Sequence, residues 1–199
     1  MSRPFNPAAE RNKAPILAVI ERYLLRARAV LEIGAGSGQH ALFLAAQLPH
    51  LRWQPSEQPS QLADLRENLR GAALANLCPA IELDVLAPHW PLDGLDAVYA
   101  ANVVQCMTSP ALAALFRGVG AQLAADGVFL LYGPFNRDGR FTSEGNQQLD
   151  AWARSLDADF GLRDRALLEQ LAARHGLYLC DDHAMPANNQ LLVWRRVPT

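Results

Sequence analysis

The chain has 199 residues, half of them hydrophobic and 19% charged, with a formal net charge of −2. That length holds one substantial core and is short for two full-sized domains, so a single domain over residues 1–199 is expected, and the balance excludes a disordered or fibrous chain. One lysine, Lys13, and arginines scattered from Arg3 to Arg196 leave no broad cationic face, which argues against nucleic acid as a partner but permits a small anionic substrate.

The first residues, Met1-Ser2-Arg3-Pro4-Phe5-Asn6-Pro7, lack the apolar core of a secretion signal, and no apolar run approaches the ~20 residues of a membrane span. A cytoplasmic protein with no membrane partner is expected. Pro15 to Arg26 places Ile16, Val19, Ile20, Tyr23 and Leu24 at helical spacing, with the proline suited to a first turn, so residues 1–28 read as an arm and a helix. Ala29 to Ile33 is a short apolar run leading into glycines, and Gln39 to Leu48 reads as a helix that stops before Pro49. Leu51 to Pro55 is the next strand, Ser60 to Ala75 the next helix, and Ile81 to Val85 and Leu95 to Ala100 are further strands. Ser109-Pro110 opens a helix along Leu112, Leu115, Phe116, Val119 and Leu123.

Asp126-Gly127 reads as a turn and Val128 to Tyr132 as a buried strand, which closes a cofactor-binding half over 29–132. The polar, glycine-rich segment Gly133 to Gly145 is too long for a simple connection and is expected to carry function. Asp164 caps a helix running to His175-Gly176, and Leu177 to Cys180 and Leu191 to Arg195 form a terminal hairpin. Residues 133–199 are thus the substrate-side loop, helices and hairpin. Alternating strands and helices predict an α/β, doubly wound, mainly parallel sheet that binds ligands at the carboxyl ends of its strands. Cys78, Cys106 and Cys180 include no C-x-x-C pair and read as buried free thiols, with no disulfide and no metal site.

The turn Glu32-Ile33-Gly34-Ala35-Gly36-Ser37-Gly38 follows a buried strand, where backbone N–H groups reach a ligand only if side chains are absent. The pattern is G-x-G-x-G, and Gln39 stands where a dinucleotide fingerprint has its third glycine, so an NAD-type reading is weakened. Glu57 lies at the expected end of the second strand, where a carboxylate accepts ribose hydroxyls, and Asp84, after the third, can accept from an adenine amino group. Glu32 suits a ligand carrying an ammonium and a sulfonium and would repel phosphates. Each acid alone is equally explained as a helix cap or a solvated group; their common register points to S-adenosylmethionine.

The turn, Glu57 and Asp84 resemble the first three motifs of class I S-adenosylmethionine-dependent methyltransferases. Over nearly the whole length, Ala8-Ala9-Glu10-Arg11-Asn12-Lys13, Trp53-Gln54-Pro55-Ser56, Tyr132-Gly133-Pro134-Phe135, Gly161-Leu162-Arg163-Asp164 and Met185-Pro186-Ala187-Asn188-Asn189 resemble the methyltransferase-like 26 family, also called domain of unknown function 938. The resemblance implies a Rossmann-like seven-stranded methyltransferase sheet, mostly parallel with an antiparallel last strand. One departure is Gln105, in the stretch Asn102-Val103-Val104-Gln105, where that family often carries a histidine.

Methyl transfer from a sulfonium is an in-line displacement, so the protein mainly aligns donor and acceptor and excludes water. Where a proton must leave, the candidate bases are Tyr132, His40 and His183. Asn102, after the fourth strand, joins Glu32, Gly34, Gly36, Gly38, Glu57 and Asp84 as the cofactor-side set. No Asn-Pro-Pro-Tyr-like stretch follows that strand, which again disfavours nucleic-acid methylation. For the small-molecule substrate, the candidates are Asn12 and Lys13 in a mobile arm, Phe135 and Arg137 in the long loop, Arg163, and the Asn188-Asn189 pair, whose amides are costly to bury unpaired.

Overall fold

A computed structural model describes residues 5–198. In chain order the elements are α1 (Pro7–Leu24), β1 (Ala29–Ile33), α2 (Gln39–Gln47), β2 (Arg52–Glu57), α3 (Pro59–Asn68), β3 (Ile81–Glu82), β4 (Leu95–Ala101), α4 (Ser109–Gln122), β5 (Leu123–Gly133), α5 (Glu144–Leu156), α6 (Arg165–Ala173), β6 (Leu177–Met185) and β7 (Asn189–Arg196). The seven strands form one sheet in the order β3-β2-β1-β4-β5-β7-β6. β7 runs antiparallel to both β5 and β6, and the other pairs are parallel. Chain order reverses between β1 and β4, so the crevice beyond their carboxyl ends is where such a sheet accepts a ligand.

Alternation along the strands divides the core between the two faces. Val30, Trp53, Ala97, Tyr99, Leu130 and Tyr132 face one side, with Ile16 and Ile20 of α1 and Leu44 of α2 packed on them. Leu31, Val98, Phe129, Leu131 and Trp194 face the other, beneath Phe116 of α4 and Leu168 of α6. There Phe129 stacks on Trp194 with centroids 5.5 Å apart, and Phe116 meets both rings edge-on.

The structure corrects several local expectations. α1 starts at Pro7, capped by the Asn6 side chain, which accepts from the Ala8 and Ala9 amides; Pro15 lies inside the helix. A capping Asn followed by proline at the first helical position is the stronger start signal, and an internal proline removes only one backbone bond where packing holds the rest. α3 ends at Asn68, before Gly71 at φ +79°. In the following loop Asn76 donates its amide to the carbonyls of Ala45, Leu48 and Leu51, closing the end of α2. The Asp126-Gly127 turn exists as an irregularity inside β5, where Asp126 has φ +61° and the register against β4 shifts. α5, capped by Ser143, occupies a stretch for which the sequence suggested no element. The thiols of Cys106 and Cys180 are exposed rather than buried, and all three cysteines are free. No helix among the described residues is long and apolar enough to cross a membrane.

Candidate functional site

The glycine turn joins β1 to α2 with Gly34, Gly36 and Gly38 at φ +66°, +61° and +79°, conformations that favour glycine. Gly34 has a second constraint: a Cβ there would lie 2.6 Å from Val103 Cγ1. The turn is fastened to the end of β2. The Ala35 amide donates to the Ser56 carbonyl at 3.0 Å, and the Gly36 amide donates to Glu57 Oε2 at 2.9 Å. The Gln58 amide donates to Glu57 Oε1 at 3.0 Å, so this buried carboxylate holds the loop while standing at the carboxyl edge of β2. Gln39 opens α2 and points away from any dinucleotide role: its Oε1 accepts from the Asn6 amide and the Ser37 hydroxyl, which ties the start of α1 to the turn.

Under the turn, on the sheet face covered by α1 and α2, lies a buried polar chain. Glu32 is 2% exposed and accepts from Trp53 Nε1 at 2.7 Å. Burial, opposed by that bond and assisted by the Glu57 charge, pushes its carboxyl up to about 7. Tyr99 Oη lies 3.1 Å from His40 Nδ1, and His40 Nε2 lies 2.7 Å from Asn12 Oδ1. A carbonyl oxygen only accepts, so Nε2 carries the hydrogen and Nδ1 accepts from the Tyr99 hydroxyl. Burial pulls the imidazole down to about 4, which keeps it neutral. Asn12 also donates to the Tyr132 hydroxyl, whose own titration burial pushes upward. Both nitrogens of His40, one of the expected bases, are therefore committed.

Above these residues opens a cavity of about 1600 Å³. Glu32, Gly34, Gly36, Glu57, Asp84 and Asn102 all contribute to its wall, as do Asn12, His40, Tyr132, Asn188 and Asn189. Gly38 stands behind the wall, where a Cβ would lie 2.7 Å from Leu69 Cδ2. Asp84 is exposed and accepts from the Leu86 amide, and Asn102 adopts φ +54° with its amide bonded to the Tyr132 carbonyl. Asn12 reaches the site from within α1 rather than from an arm. Asn188 and Asn189 sit at the rim; Asn189 spends its amide on the Pro186 and Ala187 carbonyls.

Other expected site residues lie elsewhere. His183 is on β6, bonded to Tyr23 and Arg22. Lys13 pairs with Glu10 and lies 5.0 Å over the Phe43 ring. Phe135 is fully buried in the opposite core. Arg137 binds Asp182 at 2.6 Å and Gln190 at 3.1 Å. Arg163 is buried and donates to the carbonyls of Met107 and Asp159. His183, Arg137 and Arg163 are held by partners distant in sequence, Tyr23, Asp182 and the Met107 carbonyl, which spacing along the chain does not disclose. The cavity is lined instead by Gln105, Cys106 and Met107 after β4 and by Asn146, Leu149 and Trp152 of α5. The signals of this helix in the sequence are Leu149, Trp152, Ala153 and Leu156 at helical spacing behind the capping Ser143.

Charge supplies a test of ligand class. Among the described residues the wall includes the carboxylates of Glu32, Glu57, Asp84 and Glu144 against one guanidinium, Arg11, with His40 neutral. Backbone donors of a side-chain-free turn, surrounded by carboxylates, fit a nucleoside bearing positive charge and not a pyrophosphate.

The fold is shared with solved structures: an O-methyltransferase family protein from Burkholderia thailandensis (TM-score 0.83, 15% identity, 96% of this chain and 57% of that one), the mitomycin 7-O-methyltransferase MmcR (0.80, 20%, 94% and 54%), and PigF with SAH (0.77, 19%, 96% and 56%). This chain spans a little over half the length of each. The α/β sheet of seven strands, with its one antiparallel strand, is the Rossmann-like methyltransferase fold. The family described as "Protein of unknown function (DUF938)" matches residues 3–196, and the chain belongs to that family.

Proposed function

We propose that this protein is an S-adenosylmethionine-dependent methyltransferase acting on a small molecule, of the methyltransferase-like 26 kind that its five resembling segments suggest. The observation that carries the reading is the glycine turn locked to Glu57 beside a carboxylate-rich cavity. Glu57 would accept from the ribose hydroxyls at the carboxyl edge of β2, Asp84 from the adenine amino group, and Glu32 would face the cationic amino-acid end. Gly34, Gly36, Gly38 and Asn102 shape the backbone around them. When bound, S-adenosylmethionine supplies an electrophilic methyl group. The chain's own contribution is to orient, exclude water and hold neutral donors near the acceptor, because neither His40 nor Tyr132 offers a free basic lone pair at neutral pH.

That same commitment of His40 and Tyr132 favours one second reading, a protein that binds the nucleoside without transferring methyl, or that uses the pocket for other chemistry. Calorimetry with S-adenosylmethionine, S-adenosylhomocysteine and NAD tests both: binding of the two sulfur ligands and not NAD is expected, and binding of neither removes both readings. Incubating cytoplasmic metabolite extracts with methyl-labelled cofactor separates them, since labelled small-molecule products are expected only of a methyltransferase.

A further inference from the structure

Gln105 lies in the short helical turn Val104–Cys106 just beyond β4 and is 6% exposed. It is held twice. Its backbone carbonyl accepts from the Gly161 amide at 2.9 Å, and its Nε2 donates to the Asn102 carbonyl at 3.0 Å. Its Oε1, by contrast, is buried without a hydrogen-bond partner. Leaving a buried carbonyl unpaired carries its desolvation cost without return, and such atoms are few in folded proteins. Gln105 belongs to the cavity wall together with its neighbours Cys106 and Met107, and this turn packs against α5, which brings Trp152 to the same cavity.

This part of the cavity has apolar surface, and the charged group that α5 adds to it is a carboxylate, Glu144. Met107, Leu149, Trp152 and Phe160 line it, and Trp152 remains half exposed. The arginines that would recognise a carboxylate or phosphate, Arg137 and Arg163, are bonded elsewhere.

We propose that Gln105 Oε1 accepts a hydrogen bond from an O–H or N–H group of the substrate, and that this substrate carries no negative charge and has a flat apolar face suited to Trp152. Identifying that group as the methyl-accepting one rests on the methyltransferase reading; the binding site does not. An amide carbonyl is no base, so Gln105 is a positioning residue: it orients the donor atom and leaves its lone pair free. A ligand there also relieves the unpaired carbonyl, so a molecule of the same shape lacking the donor is discriminated against.

The test uses 1-naphthol and 1-methoxynaphthalene, which share a ring system and differ in the donor. Their affinities are measured by calorimetry on the full chain, with and without saturating S-adenosylhomocysteine, for the wild type, Gln105→Met and Gln105→Glu. The wild type is expected to prefer 1-naphthol by about tenfold, the factor equivalent to about 1.4 kcal/mol. Gln105→Met, similar in length but without the carbonyl, should lose the preference. Gln105→Glu keeps an acceptor and should retain it, whereas a merely structural role through Asn102 would harm both variants alike. No preference in the wild type, its persistence in Gln105→Met, its loss in Gln105→Glu or absence of binding by both probes overturns the proposal. Should Gln105→Met fail to fold, the wild-type and Gln105→Glu arms still decide. Failure of S-adenosylhomocysteine to bind overturns the methyltransferase reading separately, because the measurements without it still report on Gln105.

Discussion

Asn12 gives one oxygen to His40 and its amide hydrogens to Tyr132, so a single side chain satisfies two buried rings on different elements. Asn12→Ala removes this partner from both and is expected to destabilise the fold by about 1–3 kcal/mol, read as a lower urea midpoint with an unchanged m-value. Glu57 has a different profile. Glu57→Ala is expected to weaken S-adenosylhomocysteine binding by roughly 1–3 kcal/mol in calorimetry, the cost of losing bonds to a charged group, and an unchanged affinity in a folded variant would refute its ribose role. The place of Glu57 at the end of β2 was legible because it follows from distance along a strand-turn-helix unit. Arg137, Arg163 and His183 were not, because Asp182, the Met107 carbonyl and Tyr23 reach them only through tertiary packing.

Elements were legible where period and punctuation agree. β1, the glycine turn and α2 sit close to their expected bounds since an apolar run, three glycines and a helical period follow one another without competition. α1 was cut short in the sequence reading because Pro15 and Pro7 both look like first-turn prolines, and only the Asn6 cap distinguishes them. α5 escaped notice because its polar residues outnumber its apolar ones and it covers a cavity more than a core. Two substitutions test elements as units. Gly34→Ala combines a positive φ with a close approach to Val103, so a lowered melting temperature and loss of S-adenosylhomocysteine binding are expected together. Asp164 caps α6 through the Ala166 amide and also accepts from the Gly139 amide at 2.6 Å. Asp164→Ala should therefore cost about 1–2 kcal/mol in stability while leaving nucleoside affinity unchanged.

At the scale of the whole molecule, two buried groups pull stability in opposite directions with pH. Glu32 is raised on folding, so its contribution is full below its ordinary value of 4.5 and is lost as pH rises through about 7. His40 is lowered, so its contribution is full above 6.5 and is lost as pH falls toward about 4. Glu32→Gln removes the first and leaves the second, and unfolding free energies measured between pH 4.5 and 7 should rise more steeply with pH in this variant than in the wild type. A cationic ligand favours the ionised Glu32, so its binding near pH 7 should release protons, seen in calorimetry across buffers of different ionisation enthalpy and absent in Glu32→Gln. Pro15 has a consequence of another kind. It leaves the Arg11 carbonyl without its helical donor, and thereby makes α1 two segments on one axis. The segment after it is anchored by the buried Ile16, Ile20 and Leu24, whereas the one before it carries Ala8, Ala9, Arg11 and Asn12 along the cavity. Amide hydrogens should accordingly exchange at two speeds within one helix, and filling the cavity should slow only those ahead of the proline.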